Sequence, residues 1–291
     1  ERFSEKVQLG EGLAINGHIN EAAFARGLSC LESFAQALKR YPINHQWAVG
    51  TNALRVADNA KAFLARAAEL GFDIDVVTGI EEAALVYAGV MSALPDDNQT
   101  RLIIDIGGGS TELVVGQGAR QLQAHSMPIG CISWRDKWFS EVMADADSIS
   151  RQLQCAVTAS QQIFLTVADQ LSSTPWTEVY ASSGTAKMLS AVCSQRLSPG
   201  SPPAGVQLET LASLESDIVS VTLNPALALR GLKNGRRELI LPGWAVLMGF
   251  MLANNVTMLK FSPAALREGM LHYLVKAGES NDSPLHALRA H

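Results

Sequence analysis

Residues 101–116, RLIIDIGGGSTELVVG, restrict the fold more than any other part of the chain. An apolar run, Leu102-Ile103-Ile104, delivers the carboxylate of Asp105 to three consecutive glycines, Gly107, Gly108 and Gly109. Ser110, Thr111 and a second carboxylate, Glu112, follow, and then another apolar run, Leu113-Val114-Val115. Two short apolar runs around a glycine cluster read as strand, tight turn, strand. Glycine reaches positive φ and lets a backbone approach a ligand with no Cβ in the way. Exposed N–H groups in such a turn make an anion-binding concavity. Asp105 and Glu112 flank it, and Mg²⁺ usually takes one or two carboxylates together with substrate phosphates. The stretch therefore reads as a place that holds a phosphate and a divalent cation together. The alternative is a glycine-rich hairpin with solvated ends, because short glycine patterns are weak signals alone.

With 291 residues the chain exceeds the usual size of a single core, so two domains are expected. It is 47% hydrophobic and 18% charged, which places it among core-rich globular proteins. The formal net charge of −5 argues against nucleic-acid binding, which favours a basic surface. A polyanionic substrate then needs local positive charge from a few Arg or Lys and a metal. Cys30, Cys131, Cys155 and Cys193 are scattered without metal-ligand spacing, so buried free thiols in a reducing, cytoplasmic setting are expected. The first residues, ERFSEKVQLGEG, lack the apolar core of a signal peptide. The longest apolar run, 239–253, is too short to span a bilayer and contains Pro242 and Gly243; it reads as a buried strand end leading into a core helix.

Periodicity organises the rest. Residues 6–13 read as a short strand and turn, 20–41 as an amphipathic helix, 47–49 as a strand and 58–70 as a helix stopped by Gly71. A buried strand at 74–77 leads to a helix at 81–94 and a linker at 95–99. Beyond the glycine hairpin come an extended segment at 121–127, a long helix at 148–171 and a strand near 179–180. A small-residue turn at 181–185 then opens a helix from Ala186, and a Pro/Gly-rich loop occupies 198–205. Helical segments fill 208–232 and 264–276, and residues 279–291 are expected to fray. Strands alternating with helices argue for an α/β architecture, in which ligands bind beyond strand ends.

Other residues carry two readings each. Glu81 and Glu82 stand between a strand and a helix, where a carboxylate is either a general base or a first-turn acid favoured by the helix dipole, the dipole being the more economical. Ser183, Gly184 and Thr185 offer either N–H donors to an anion or a helix N-cap. Arg55, Arg236 and Arg267 lie near turns or helix ends, and the guanidinium fork matches phosphate, although single arginines are mostly solvated. Neither a GxSxG elbow nor a GxxxxGK[ST] loop is present, which disfavours serine and P-loop chemistry.

In combination these pieces resemble the Ppx/GppA family of exopolyphosphatases and guanosine pentaphosphate phosphohydrolases. Carrying the resemblance, in order, are TNALR at 51–55, TGIEEAALVYAGV at 78–90, IDIGGGSTELVVG at 104–116, Gly130-Cys131, SSGTAK at 182–187, Arg236 with LPG at 241–243, and ALREG at 265–269. The resemblance implies two ribonuclease-H-like domains of the actin/Hsp70/sugar-kinase superfamily around a cleft, expected at 1–95 and 96–278 with a tail at 279–291. It implies Glu82 as catalytic base, Asp105 and Glu112 as metal and water-positioning carboxylates, Gly107, Gly108, Gly109, Ser110, Thr111, Ser183, Gly184 and Thr185 as phosphate-contacting loops, and Arg55 and Arg267 as basic residues near the site. The activity it implies is Mg²⁺-dependent removal of terminal phosphate from inorganic polyphosphate, or 5′-phosphate removal from pppGpp. A sugar-type kinase and a non-catalytic polyphosphate or alarmone binder are the other classes. Homodimerisation is expected by resemblance, with neither nucleic acid nor a membrane as partner. The family's DLGSNS-like opening loop has no counterpart in these residues, so the first domain is expected to be incomplete, whether trimmed or lacking that loop. Ala181 and Ala264 replace glycines common in relatives, and a helical HD-like extension is not expected.

Overall fold

In a computed structural model, which describes residues 3–141, 145–280 and 283–290, the glycine-rich stretch forms two antiparallel strands within a larger sheet. Preceding it in chain order are α1 (Leu13–Asn16), α2 (Glu21–Leu38), β1 (Ala48–Gly50), α3 (Asn52–Val56), α4 (Ala60–Glu69), β2 (Ile74–Val76) and α5 (Gly79–Met91). The hairpin is β3 (Thr100–Ile106) and β4 (Thr111–Gln117), followed by β5 (Arg120–Met127), α6 (Cys131–Trp138), α7 (Ala146–Ser172), β6 (Glu178–Ser182) and α8 (Ser183–Leu197). Then come β7 (Gly205–Gln207), α9 (Leu208–Ala212), α10 (Glu215–Leu223), a 3₁₀ turn at Asn234–Leu239, α11 (Ile240–Ala253), β8 (Met258–Phe261), α12 (Leu266–Ser280) and α13 (Pro284–Arg289).

Two sheets result. β1 and β2 pair in parallel, and around them Leu13, Ile19, Ala23, Leu54 and Phe63 close a small core with α2 and α4. The larger sheet has the order β5-β4-β3-β6-β8-β7. Its first three strands are antiparallel, β6 and β8 add in parallel to β3, and β7 closes the edge antiparallel. Three antiparallel strands extended by parallel ones give the ribonuclease-H-like order that the resemblance implies.

Side-chain alternation decides what each face of this sheet does. Leu102, Ile104, Ile106, Leu113 and Val115 face the main core, which holds α7, α8 and the wholly apolar α11. On the opposite face, Ile103 pairs with Val114 across the hairpin and with Tyr180 of β6. That face is covered by α5, whose Ala83, Val86, Tyr87 and Val90 join Ile103, Val114 and Tyr180 in one apolar cluster. The Tyr87 ring lies on Gly116, where a Cβ would come within 2.3 Å of the hydroxyl. Tyr87 donates to the Gly118 carbonyl at 2.8 Å. Together these contacts fix where along the sheet the N-terminal turn of α5 arrives.

Several expectations need correction. Residues 3–8 form no strand; Lys6 and Gln8 hydrogen-bond to Glu238. The 239–253 run contains no strand end, because the 3₁₀ turn feeds directly into α11. Residues 131–138 are helical, and β8 is a strand whose four residues carry no clear alternation to announce it. Cys155 is exposed, whereas Cys30, Cys131 and Cys193 are buried. The tail expected to fray contains α13, which buries Ala287 and Leu288. Among the described residues no helix is long and apolar enough to cross a membrane.

Candidate active site

Two residues along from the Ile103–Val114 pair, the same face of the sheet turns polar. Asp105 stands directly opposite Glu112 in the hairpin register, Ser126 of β5 lies opposite Glu112, and Ser182 of β6 lies opposite Asp105. Four strands thus present a row, Ser126–Glu112–Asp105–Ser182, with the two carboxylates inside and a hydroxyl at each end. The lateral neighbours are also the hydrogen-bond partners. Ser126 Oγ donates to Glu112 Oε1 at 2.9 Å, and Ser182 Oγ donates to Asp105 Oδ2. Like charges directly opposite each other destabilise a sheet, so this pairing is a local cost that packing alone does not call for.

A third carboxylate arrives from α5. Thr78 caps this helix through a reciprocal pair with Glu81: Glu81 N–H donates to Thr78 Oγ1 at 3.2 Å, and Thr78 N–H donates to Glu81 Oε2 at 2.7 Å. The two adjacent acids therefore divide the readings that the sequence left open. Glu81 is the capping acid. Glu82 is 8% exposed and turned toward the row, with Oε2 accepting from Arg55 Nη1 at 3.1 Å. The same Arg55 nitrogen donates to the Val77 carbonyl at 2.9 Å, which ties α3 to the entry of α5. Gly79 lets the helix end come this close, because a Cβ there would lie 2.4 Å from Ser126.

The three carboxylates sense one another. Burial pushes the Glu112 carboxyl, which is 1% exposed, well above the ordinary glutamate range, and the charges of Glu82 and Asp105 push it further. Burial raises Asp105 to about 6 against the opposing Ser182 hydrogen bond. Glu82 is raised by burial and by Asp105, with Arg55 holding it down. Carboxylates lifted toward neutrality in a shared site are suited to proton transfer at physiological pH. One guanidinium does not balance three such groups, and a divalent cation would. Among the described residues no three His, Cys, Asp or Glu side chains form a complete metal cage. The donor set therefore fits a hard cation that takes one or two carboxylates and fills its remaining positions with water and phosphate oxygens, as Mg²⁺ does.

A cavity of about 380 Å³ is lined by the turns that follow Asp105 and Ser182, through Gly107, Gly108, Ser183, Gly184 and Thr185, together with Arg236 and residues 4–8; none of the three carboxylates lines it. None of the three glycines of the hairpin turn adopts positive φ; what they share is tight surroundings, with room for a Cβ only if neighbours shift. A Cβ on Gly109 would lie 2.1 Å from Asn52 Oδ1, and one on Gly130 would lie 2.5 Å from the Gly108 backbone. Four of the expected phosphate ligands, Thr111, Ser183, Ser110 and Arg267, have other partners. The Thr111 hydroxyl is buried and donates to the Ile129 carbonyl at 2.6 Å. Ser183 sits at φ 95° and its hydroxyl accepts from the N–H groups of Thr185 and Ala186, so it caps α8. Ser110 is buried, and its hydroxyl bonds to Glu112. Arg267 is not brought to the row: its exposed guanidinium pairs with Glu268. Arg236, one of the three arginines the sequence offers for phosphate, lies against Gly184, where a Cβ would come within 2.4 Å of its Nη2. Among the described residues no carboxylate pairs with it. Ser126 and Ser182, without an assigned role, become visible only through strand register.

The model of the Ppx/GppA phosphatase family matches residues 1–277. A curated relative from Haemophilus influenzae named "Putative exopolyphosphatase" is 33% identical over 276 residues, covering 94% of this chain and 83% of its own. The crystal structure of an exopolyphosphatase from Cytophaga hutchinsonii superposes with a TM-score of 0.81 at 24% identity, over 94% of this chain and 88% of that one. That of the Aquifex aeolicus Ppx/GppA family member gives 0.72 at 22% identity, over 95% and 88%.

Proposed function

The chain belongs to the Ppx/GppA phosphatase family, a family of phosphoanhydride hydrolases, and from that premise we propose that it removes terminal orthophosphate from inorganic polyphosphate with Mg²⁺. The observation that supports this reading is the convergence of Glu82, Asp105 and Glu112 on one face of the sheet, adjoining in sequence the two small-residue turns that line a cavity with Arg236, which pairs with no carboxylate among the described residues.

Each residue then has a task. Arg55 and Thr51 hold the Glu82 carboxylate, which orients a water and takes its proton as the water oxygen attacks the terminal phosphorus. The bridging P–O bond breaks on the far side, and the departing oxygen keeps the electron pair on the shortened chain. Backbone N–H groups of Gly108 and Gly184, with the Arg236 guanidinium, hold non-bridging oxygens in place before reaction, the Gly107 N–H being engaged by the Ser110 carbonyl. Asp105 and Glu112, steadied by Ser182 and Ser126, would hold Mg²⁺, which supplies charge neutralisation on the phosphoryl oxygens. Local positive charge draws a polyanion toward a chain whose net charge is −5.

The test is phosphate release from inorganic polyphosphate, with pppGpp as competitor. Glu82→Gln keeps the shape of the side chain and removes the base, so its rate is expected to fall by about 10²- to 10⁴-fold. A rate equal to wild type would reject Glu82 as base. A higher kcat/KM on pppGpp than on polyphosphate would reject the substrate assignment.

A further inference from the structure

The match to the family ends at residue 277, yet a further helix, α13 (Pro284–Arg289), packs on the back of the helix that carries Glu82. Ser283 caps it, its Oγ accepting from the His286 N–H at 3.1 Å, and Pro284 stands in its first turn. Ala287 and Leu288 are buried in one cluster with Val77, Ala84 and Leu85 of the α5 entry and with Tyr273 and Ala277 of α12. Beyond this apolar contact, Arg289 Nε donates to Glu81 Oε1 at 2.6 Å. Glu81 Oε2 is already engaged by the Thr78 N–H, so the capping acid is held from both sides. Burial pushes the Glu81 carboxyl up, but Arg289 and Thr78 together hold it below the ordinary glutamate value.

We propose that α13 is a positioning element of the active site, and that Arg289 is the residue through which it keeps the first turn of α5, and hence Glu82, in place. The inference rests on the assignment of Glu82 as base. A continuous chain of contacts carries it: Arg289 to Glu81, Glu81 to the Thr78 cap, the adjoining Val77 carbonyl to Arg55, and Arg55 to Glu82. The side chain of Arg289 is 54% exposed and that of Glu81 15%. A pair so exposed on one side adds little to global stability. Its effect falls on a helix terminus, where local opening costs less than unfolding of the whole chain. A general base must stay within hydrogen-bond reach of its water, so small excursions of this turn reduce turnover without altering how the substrate is gripped on the sheet.

The experiment compares the full chain with Arg289→Ala and Arg289→Lys by hydrogen exchange of peptides spanning 78–86 and by steady-state phosphate release from inorganic polyphosphate with Mg²⁺. For Arg289→Ala, exchange in the first turn of α5 is expected to accelerate about tenfold. Its kcat is expected to fall roughly five- to tenfold, with KM within about twofold of wild type and Tm nearly unmoved. Arg289→Lys keeps the charge and is expected to recover at least half of the lost rate. Adding Glu81→Gln to Arg289→Ala is expected to cause no further loss, because the two act as one unit. Unchanged exchange in 78–86, or a loss carried by KM alone, overturns the proposal. If the wild-type chain releases no phosphate from polyphosphate, the functional reading fails while the exchange measurement still decides whether α13 holds the helix end.

Discussion

Glu81 and Glu82 are neighbours of identical chemistry, and one residue of helical rotation separates their fates. Glu81 closes the cap of α5, and Glu82 turns inward to Arg55 and the carboxylate row. Sequence alone offers both readings for both residues, because a first-turn acid and a buried base occupy the same part of a helix. Ser126 illustrates the same limit. Nothing in the string HSMP marks it, yet it lies opposite Glu112 and donates to it at 2.9 Å. Partners that orient metal-binding carboxylates typically matter about 10- to 100-fold. Ser126→Ala is therefore expected to raise the Mg²⁺ concentration needed for half-maximal phosphate release by about that factor, with little change in thermal stability. A Mg²⁺ titration indistinguishable from wild type would remove Ser126 from the site.

At the scale of elements, the site depends on how closely α5 and α12 cross. Gly89 and Gly269 face each other's backbones: a Cβ on Gly89 would lie 1.8 Å from the Ala265 carbonyl oxygen, and one on Gly269 would lie 1.8 Å from that of Leu85. No side-chain rotation relieves a clash with backbone on both sides, so Gly269→Ala is expected to cost about 3 kcal/mol and to lower Tm. Gly278 lies on the same helix, but a Cβ there would meet nothing within 4 Å, and Gly278→Ala is expected to gain about 0.5–1 kcal/mol. Urea titrations of the two variants test the pair, and equal stabilities would show that the two helices cross with room to spare. α2, α4 and α7 are legible in the sequence because each buries a periodic face of its own, and the hairpin and α5, buried on nearly every side, show as apolar runs bounded by turn and cap residues. β8 and α13 are not, since four and six residues are too few for periodicity to register.

For the whole molecule, the buried acids set a pH dependence of known sign. Asp105, at about 6 in the folded chain, lies above its ordinary value, so the native state binds more protons than the unfolded chain between about pH 4 and 6. Its contribution to stability is thus present below pH 4 and is lost as pH rises through about 6, and Glu112 extends the same trend upward. Asp105→Asn does not titrate, so its stability relative to wild type is expected to increase from pH 4 to pH 8, by about 3 kcal/mol at most. Mg²⁺ is expected to raise the wild-type Tm more at pH 8 than at pH 5, since it binds the deprotonated carboxylates. Melting curves at both pH values, with and without Mg²⁺, check this; a difference that stays flat with pH would show that Asp105 is not desolvated. What the sequence by itself determined is the local chemistry: a strand that ends in a carboxylate, a glycine-rich turn, and a helix start that carries two acids. These follow from residue type and spacing within a few residues. Only the tertiary structure decided that Ser126, Ser182 and Arg236 lie near them and that α13 backs the helix carrying Glu82, because side chains far apart in the chain meet through strand register and helix crossing, which no local pattern encodes.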